Sequence, residues 1–174
     1  RVPLTEDAPV RRASCPYGQT KITVEYLAAE LQRACPDFSV VLLRYFNPVG
    51  AHPSGLIGEL PRGIPNNLMP YLTQVATGRL PHLNIFGNDY PTPDGTCIRD
   101  YIHVCDLAAG HVAALSHCHG KPGVHIYNLG TGRGLSVLEM VKAFSAALGH
   151  ELPHRFAPRR AGDVICCYAD PGRA

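Results

Sequence analysis

An α/β layer fold is predicted for this 174-residue chain by two observations. Segments with helical apolar spacing alternate with short, nearly continuous apolar runs, and stretches dense in glycine and proline separate them. Apolar residues make up 45% of the chain and charged residues 17%, which supplies a globular core and argues against disorder. Ile22, Val24, Leu27 and Leu31 predict a first helix from about Tyr17 to Ala34 with a broad apolar stripe. Pro36 and Asp37 end it, and SVVLLRYF over 39–46 reads as a strand buried on both faces. Residues 47–65 read as one long loop of the kind that often carries function. A helix is expected over about 66–78, with Asn66 and Asn67 as caps, then a strand at LNIFG and a turn at NDYPTPDGT. The YIHV strand should lead into a helix capped by Asp106, and VHIYNLG into a further helix. In that last helix Ser136 and Glu139 have capping-box spacing and Gly149 is the stop.

Charge and composition exclude several functions. The net charge is +2 and the basic residues are scattered, so there is no footprint for nucleic acid, while a small anion is an acceptable ligand. No apolar run reaches bilayer length and no charged start precedes an apolar stretch, so no membrane partner and a cytoplasmic location are expected. The seven cysteines form no Cys-x-x-Cys pair, which suits free thiols. A start at Arg1 and an end at ADPGRA suggest a piece of a longer chain.

Tyr17 and Lys21 are four residues apart and share a helix face. A tyrosine hydroxyl is an inefficient base at neutral pH, and a nearby cation favours its phenolate, so the pair is a candidate acid/base. Gly130, Gly132 and Gly134 lie between a strand and a helix, but the third glycine of a dinucleotide loop would fall at Leu135. A tight strand-to-helix turn is the better reading. His117, Cys118 and His119 adjoin one another and lack a second spaced pair, so a surface turn is expected and no metal. Cys166 and Cys167 read as packing residues. Arg99, Arg159 and Arg160 carry forked donors suited to phosphate, although each alone reads as a surface arginine.

The phrases PYGQTK, VVLLRYFNPVGAH, GIPNNLMPYL, LNIFGNDYPTPDGTCIRDYIHVCDLAAGH, IYNLGTG and RRAGDV, in this order, closely resemble the UDP-glucose 4-epimerases, within the extended short-chain dehydrogenases/reductases. The resemblance spans nearly the whole chain. It implies part of a Rossmann-like parallel layer, with residues 1–47 from the NAD-binding domain. Residues 48–174 would form a smaller α/β substrate-binding region interleaved with late Rossmann elements. By the same resemblance, Tyr17 takes the proton of the sugar 4-hydroxyl while NAD accepts the C4 hydride, and Lys21 holds the nicotinamide ribose. Tyr45 serves cofactor and sugar, and Phe46 and Asn47 the sugar neighbourhood. Asn66, Asn67 and Leu68 would meet diphosphate and sugar from a helix start, and Asn84, Ile85 and Phe86 the uracil. Arg99 and Arg160 would bind the diphosphate and Asp163 the ribose hydroxyls. Cys167 would leave room beside the sugar 2-substituent, so N-acetylated UDP-hexosamines are expected to be accepted too.

The family's glycine-rich phosphate loop, its acidic ribose contact and the Ser/Thr partner of the tyrosine do not occur in these residues. An isolated chain without turnover is therefore expected, within a whole enzyme that the resemblance implies is a homodimer. Two other readings stay open: a related sugar-nucleotide 4,6-dehydratase or decarboxylase, and a non-catalytic product that binds UDP-sugars.

Overall fold

Helices and strands alternate through the computed structural model, which describes residues 2–10, 12–13 and 15–174. In chain order the elements are α1 (Pro16–Ala34), β1 (Ser39–Tyr45), β2 (Asn47–Val49), α2 (Leu68–Ala76), β3 (Leu83–Phe86), β4 (Ile98–His103), α3 (Val104–Cys118) and β5 (Gly123–Leu129). They continue as β6 (Gly134–Ser136), α4 (Val137–Leu148), β7 (His154–Ala157) and β8 (Cys166–Cys167).

The sheet pairings organise the molecule. β1 and β5 run parallel from Ser39 opposite Gly123 to Tyr45 opposite Leu129, the parallel layer expected of an α/β fold. One residue later the chain changes sheet: the Phe46 amide still donates to the Leu129 carbonyl, and Asn47 then pairs with Tyr101 of β4. The middle sheet is built on β4, whose first half lies between antiparallel β6 and parallel β8 and whose second half pairs with β2. β3 and β7 form a third, parallel pair.

The main core is made by α2, α4 and β3, where Leu72, Val75, Leu83, Ile85, Val141 and Leu152 are buried together. Their spacing of three on α2 and two on β3 places successive apolar side chains on one face. Each such side chain contributes about 1.5–3 kcal/mol on burial. The ends of α4 follow their local chemistry: Ser136 and Glu139 form the reciprocal capping box, and Gly149 closes the helix at φ 76°, a left-handed conformation that glycine adopts without strain.

Several expectations are corrected. α1 forms over the expected residues, opened by Pro16, but its stripe is uncovered: none of its residues is buried and Leu27 is 63% exposed. β1 is likewise not buried on both faces: Val40 is its one buried residue, and its sheet has two strands among the described residues. An ion pair joins α1 to β1, with Arg44 donating to both Glu25 carboxylate oxygens at 2.8 and 2.7 Å. The 47–65 stretch begins as strand β2 rather than loop. α3 starts at Val104 with His103 as its cap, and Asp106 lies in its first turn, where its charge suits the helix dipole. Cys118 is buried at the end of α3 rather than exposed in a turn. Asn67 is the cap residue of α2, yet its side chain makes no capping bond.

Asp94 ties the turn before β4 to the start of α4. Its carboxylate accepts from the Thr96 amide at 2.9 Å, from the Thr96 hydroxyl at 2.8 Å and from the Ser136 hydroxyl. Burial alone would raise its pKa, but the hydrogen bonds from Ser136 and Thr96 outweigh it and hold the group below the ordinary carboxylate value. A depressed folded-state pKa contributes stability that is present above the unfolded value of about 3.9 and is lost as pH falls through the folded value. Asp94→Asn is therefore expected to flatten the acid limb of stability below about pH 4. Urea midpoints measured between pH 3 and 7 check this, and parallel profiles for the two proteins would contradict it.

Candidate functional site

A cleft of about 370 Å³ opens between the start of α2, the strand β3, the cleft face of β4 and the segment after β7. Strand periodicity builds much of its wall. Cys97, Arg99 and Tyr101 line it at alternate positions, while Asp100 and Ile102 turn to the opposite, buried side. On β3, Asn84 and Phe86 face the cleft and the Ile85 side chain packs in the core beside Leu72 and Val141. Ile85 thus has only its backbone to offer a ligand.

Charge in the cleft is organised around Asp163. Arg160 Nη2 lies 2.9 Å and Arg99 Nη2 3.8 Å from the same Asp163 oxygen. Arg99 also donates to the carbonyls of Ile98 and Val164, which fixes its head group, and Arg160 stands over the Phe86 ring at 5.6 Å. Two guanidinium groups against one carboxylate favour an anionic ligand. The start of α2 adds to this, because its first-turn amides have no side-chain cap and helix N-termini attract anions. Asn84 is oriented from two sides, donating to the Tyr71 hydroxyl at 3.3 Å and accepting from Arg155 at 2.8 Å. Burial pushes Tyr101 up to about 12, so it offers the cleft a neutral hydroxyl.

Of the residues singled out in the sequence, Asn47, Asn66, Asn67, Leu68, Asn84, Phe86, Arg99, Arg160 and Asp163 line this one cleft. Tyr17, Lys21, Tyr45, Phe46 and Cys167 do not belong to its lining. Tyr17 and Lys21 share a face of α1 as their spacing requires, with the ammonium 5.1 Å from the ring centroid, and Tyr17 is 71% exposed. Tyr45 ends β1, its ring 6.0 Å from that of His111. Cys167 pairs with Arg99 across β8 and β4, and burial pushes its thiol up, so it stays protonated and serves as a small space-filler. Tyr71, Cys97 and Tyr101 line the cleft without having been singled out. Counting by twos from Arg99 would have found Cys97 and Tyr101.

The glycine-rich turn after β5 is committed elsewhere. Asp100 accepts from the amides of Thr131, Gly132 and Ala169 and from the Thr131 hydroxyl. A Cβ on Gly130 would lie 2.5 Å from the Asp100 carboxylate, so glycine here allows close packing. This turn therefore binds an internal carboxylate and is not free to cradle a phosphate. No cluster of potential metal ligands occurs among the described residues.

A parallel β-layer with helices, a chain that switches sheet at a strand's carboxyl end, and an arginine-lined cleft beside a helix start define an α/β protein of the Rossmann-related class. Residues 1–130 match the model of the NAD dependent epimerase/dehydratase family, and the chain belongs to that family. It is 60% identical over 171 residues to the UDP-glucose 4-epimerase of Neisseria gonorrhoeae, covering 98% of this chain and 51% of that protein. It is 61% identical over 172 residues to the Bacillus subtilis UDP-glucose 4-epimerase, covering 99% and 50%. The crystal structure of the Bifidobacterium longum UDP-glucose 4-epimerase in complex with NAD+ and UDP superimposes with a TM-score of 0.95 at 53% identity, over 99% of this chain and 51% of that one. The chain thus spans about half the length of the relatives it matches.

Proposed function

We propose that this chain supplies the UDP-hexose cleft and the proton-transfer pair of an NAD-dependent UDP-glucose 4-epimerase, which interconverts UDP-glucose and UDP-galactose. The observation that carries this reading is the cleft itself, which gathers two guanidinium groups, the uncapped start of α2 and the Phe86 ring around one volume. That set suits a diphosphate next to a flat base. Arg99 and Arg160 would take the diphosphate with the α2 start at Asn66 to Leu68. Asp163 would accept from ribose hydroxyls, and Phe86 with the backbone of Asn84 and Ile85 would hold the uracil. Asn47 would reach the sugar from the sheet crossover, with Tyr45 and Phe46 adjoining. Cys167 would leave the sugar 2-position unobstructed, which extends the reading to N-acetylated UDP-hexosamines.

The proposed division assigns residues 1–47 to the NAD-binding layer and 48–174 to the substrate region with late strands of that layer. The seven-residue pairing of β1 with β5 supports a layer that draws on both parts. NAD would meet this chain at its nicotinamide ribose through the Lys21 ammonium, which stands 5.1 Å from the Tyr17 ring centroid, with Tyr45 as a further contact. Bound NAD would exchange a hydride with the sugar C4. Tyr17 Oη would accept the proton of the 4-hydroxyl and later return it to the opposite epimer, and Lys21 would favour the phenolate during that step. The whole enzyme is proposed to work as a homodimer.

One observation favours binding without turnover by this chain alone: Tyr17 lies open to water rather than in an enclosed site. Calorimetric titration tests both statements. UDP is expected to bind one to one with no epimerisation of UDP-glucose, and Arg160→Ala to weaken UDP about tenfold to a hundredfold. A chain that is folded by circular dichroism yet gives no UDP heat would remove the proposal.

A further inference from the structure

We propose that Arg159 is a positioning residue: clamped by Asp89 and Tyr90, it holds the 158–164 strap so that Arg160 and Asp163 face the cleft. The ligand in this inference rests on the UDP reading above, while the latch rests on geometry alone.

The strap leaves β7 after Ala157 and reaches β8 at Cys166. Main-chain hydrogen bonds anchor its two ends, from the Gly87 amide to Ala157 at 2.8 Å and from the Ile98 amide to Ile165 at 2.9 Å. Between them, among the described residues, the one bond from main chain to main chain is internal, from the Asp163 amide to the Arg160 carbonyl. Side chains must therefore place it. On the cleft side Arg99 grips Asp163 and the Val164 carbonyl, and those groups are themselves part of the proposed binding site. On the outer side Arg159 is outside the cleft lining and has partners of its own. Its Nε donates to the Asp89 carboxylate at 2.7 Å, its Nη2 donates to the Asp89 carbonyl at 2.7 Å, and its guanidinium lies 4.2 Å from the Tyr90 ring centroid.

This fork and stack fix both the direction and the rotation of the guanidinium plane, which a lysine could not do. The hydrogen bond from Arg159 also lowers the Asp89 pKa, so the pair stays charged through neutral pH. Both partners are largely exposed, so the contact contributes little to global stability. Its effect lies in preorganisation: a strap that is correctly placed only part of the time binds with an affinity reduced by that fraction. Arg159 and Arg160 are adjacent, and the structure divides their work, one holding the turn at NDYP and the other facing the ligand.

UDP titration and limited proteolysis test the latch separately. Arg159→Ala and Asp89→Asn are each expected to raise the Kd for UDP about fivefold with only a small fall in the urea midpoint, and Arg159→Lys to recover part of the loss. Asp89→Asn, which keeps both arginines, should speed trypsin cleavage at 159–160 about fivefold, followed by mass spectrometry. Kd values within about twofold of the parent chain, or equal cleavage rates, would overturn the latch. If the parent chain takes up no UDP while Asp89→Asn still opens the strap to trypsin, the latch stands and the UDP reading falls.

Discussion

Replacing Asp100 with alanine is expected to lower the unfolding free energy by about 3–5 kcal/mol, the largest stability loss predicted for a polar side chain here. Asp100 is fully buried, and its two oxygens accept from the Thr131 amide at 2.8 Å, the Thr131 hydroxyl at 2.7 Å, and the Gly132 and Ala169 amides at 3.1 Å each. Alanine would leave three main-chain donors without a partner at the junction of β4, the glycine turn and the segment after β8. Asp100→Asn keeps the volume but points an N–H group at donors, so it should also destabilise, by about 2 kcal/mol or more. Urea unfolding measures both, and a loss below about 1 kcal/mol for alanine would show that water or a shifted backbone replaces the carboxylate.

The second large effect concerns chemistry. In a hybrid enzyme in which this chain replaces the matching half of the Bacillus subtilis relative, Tyr17→Phe is expected to lower kcat for UDP-glucose epimerisation by about 10²–10⁴-fold, with a much smaller change in UDP affinity. Phenylalanine keeps the ring beside Lys21 and removes only the oxygen proposed to carry the proton. A hybrid that retains activity within about fivefold after this change would move the acid/base role to another group. Arg160→Ala in the same hybrid should act mainly on substrate affinity, so the pair of variants separates proton transfer from binding.

The uncovered stripe of α1 shows where local patterning stops being informative. Tyr17, Val24, Leu27 and Leu31 are each at least half exposed, although their spacing is that of a packed helix. Helical period records that a face suits an apolar partner, and it carries no information on which segment provides one. The same holds for β1, whose composition suits a strand covered on both sides and which has one paired edge here.

What the sequence alone determined was set by interactions a few residues long. These are the helical and strand periods, the capping box at Ser136, the glycine stop at Gly149 and the four-residue spacing of Tyr17 and Lys21. The phrases around Asn47, Asn67 and Arg160 carry the family resemblance in sequence alone. Tertiary structure decided which of those phrases meet. β4 can place Arg99 against Asp163 only because β8 pairs beside it, and Asp100 claims the glycine turn from the opposite face of the same strand. Such pairings join residues far apart in the chain, 69 positions in the case of Asp100 and Ala169. Each depends on register and burial across separate segments, so no local pattern encodes it. The division of labour between Arg159 and Arg160 is of this kind: identical neighbours in the sequence, they are told apart only by Asp89 on one side of the strap and the cleft on the other.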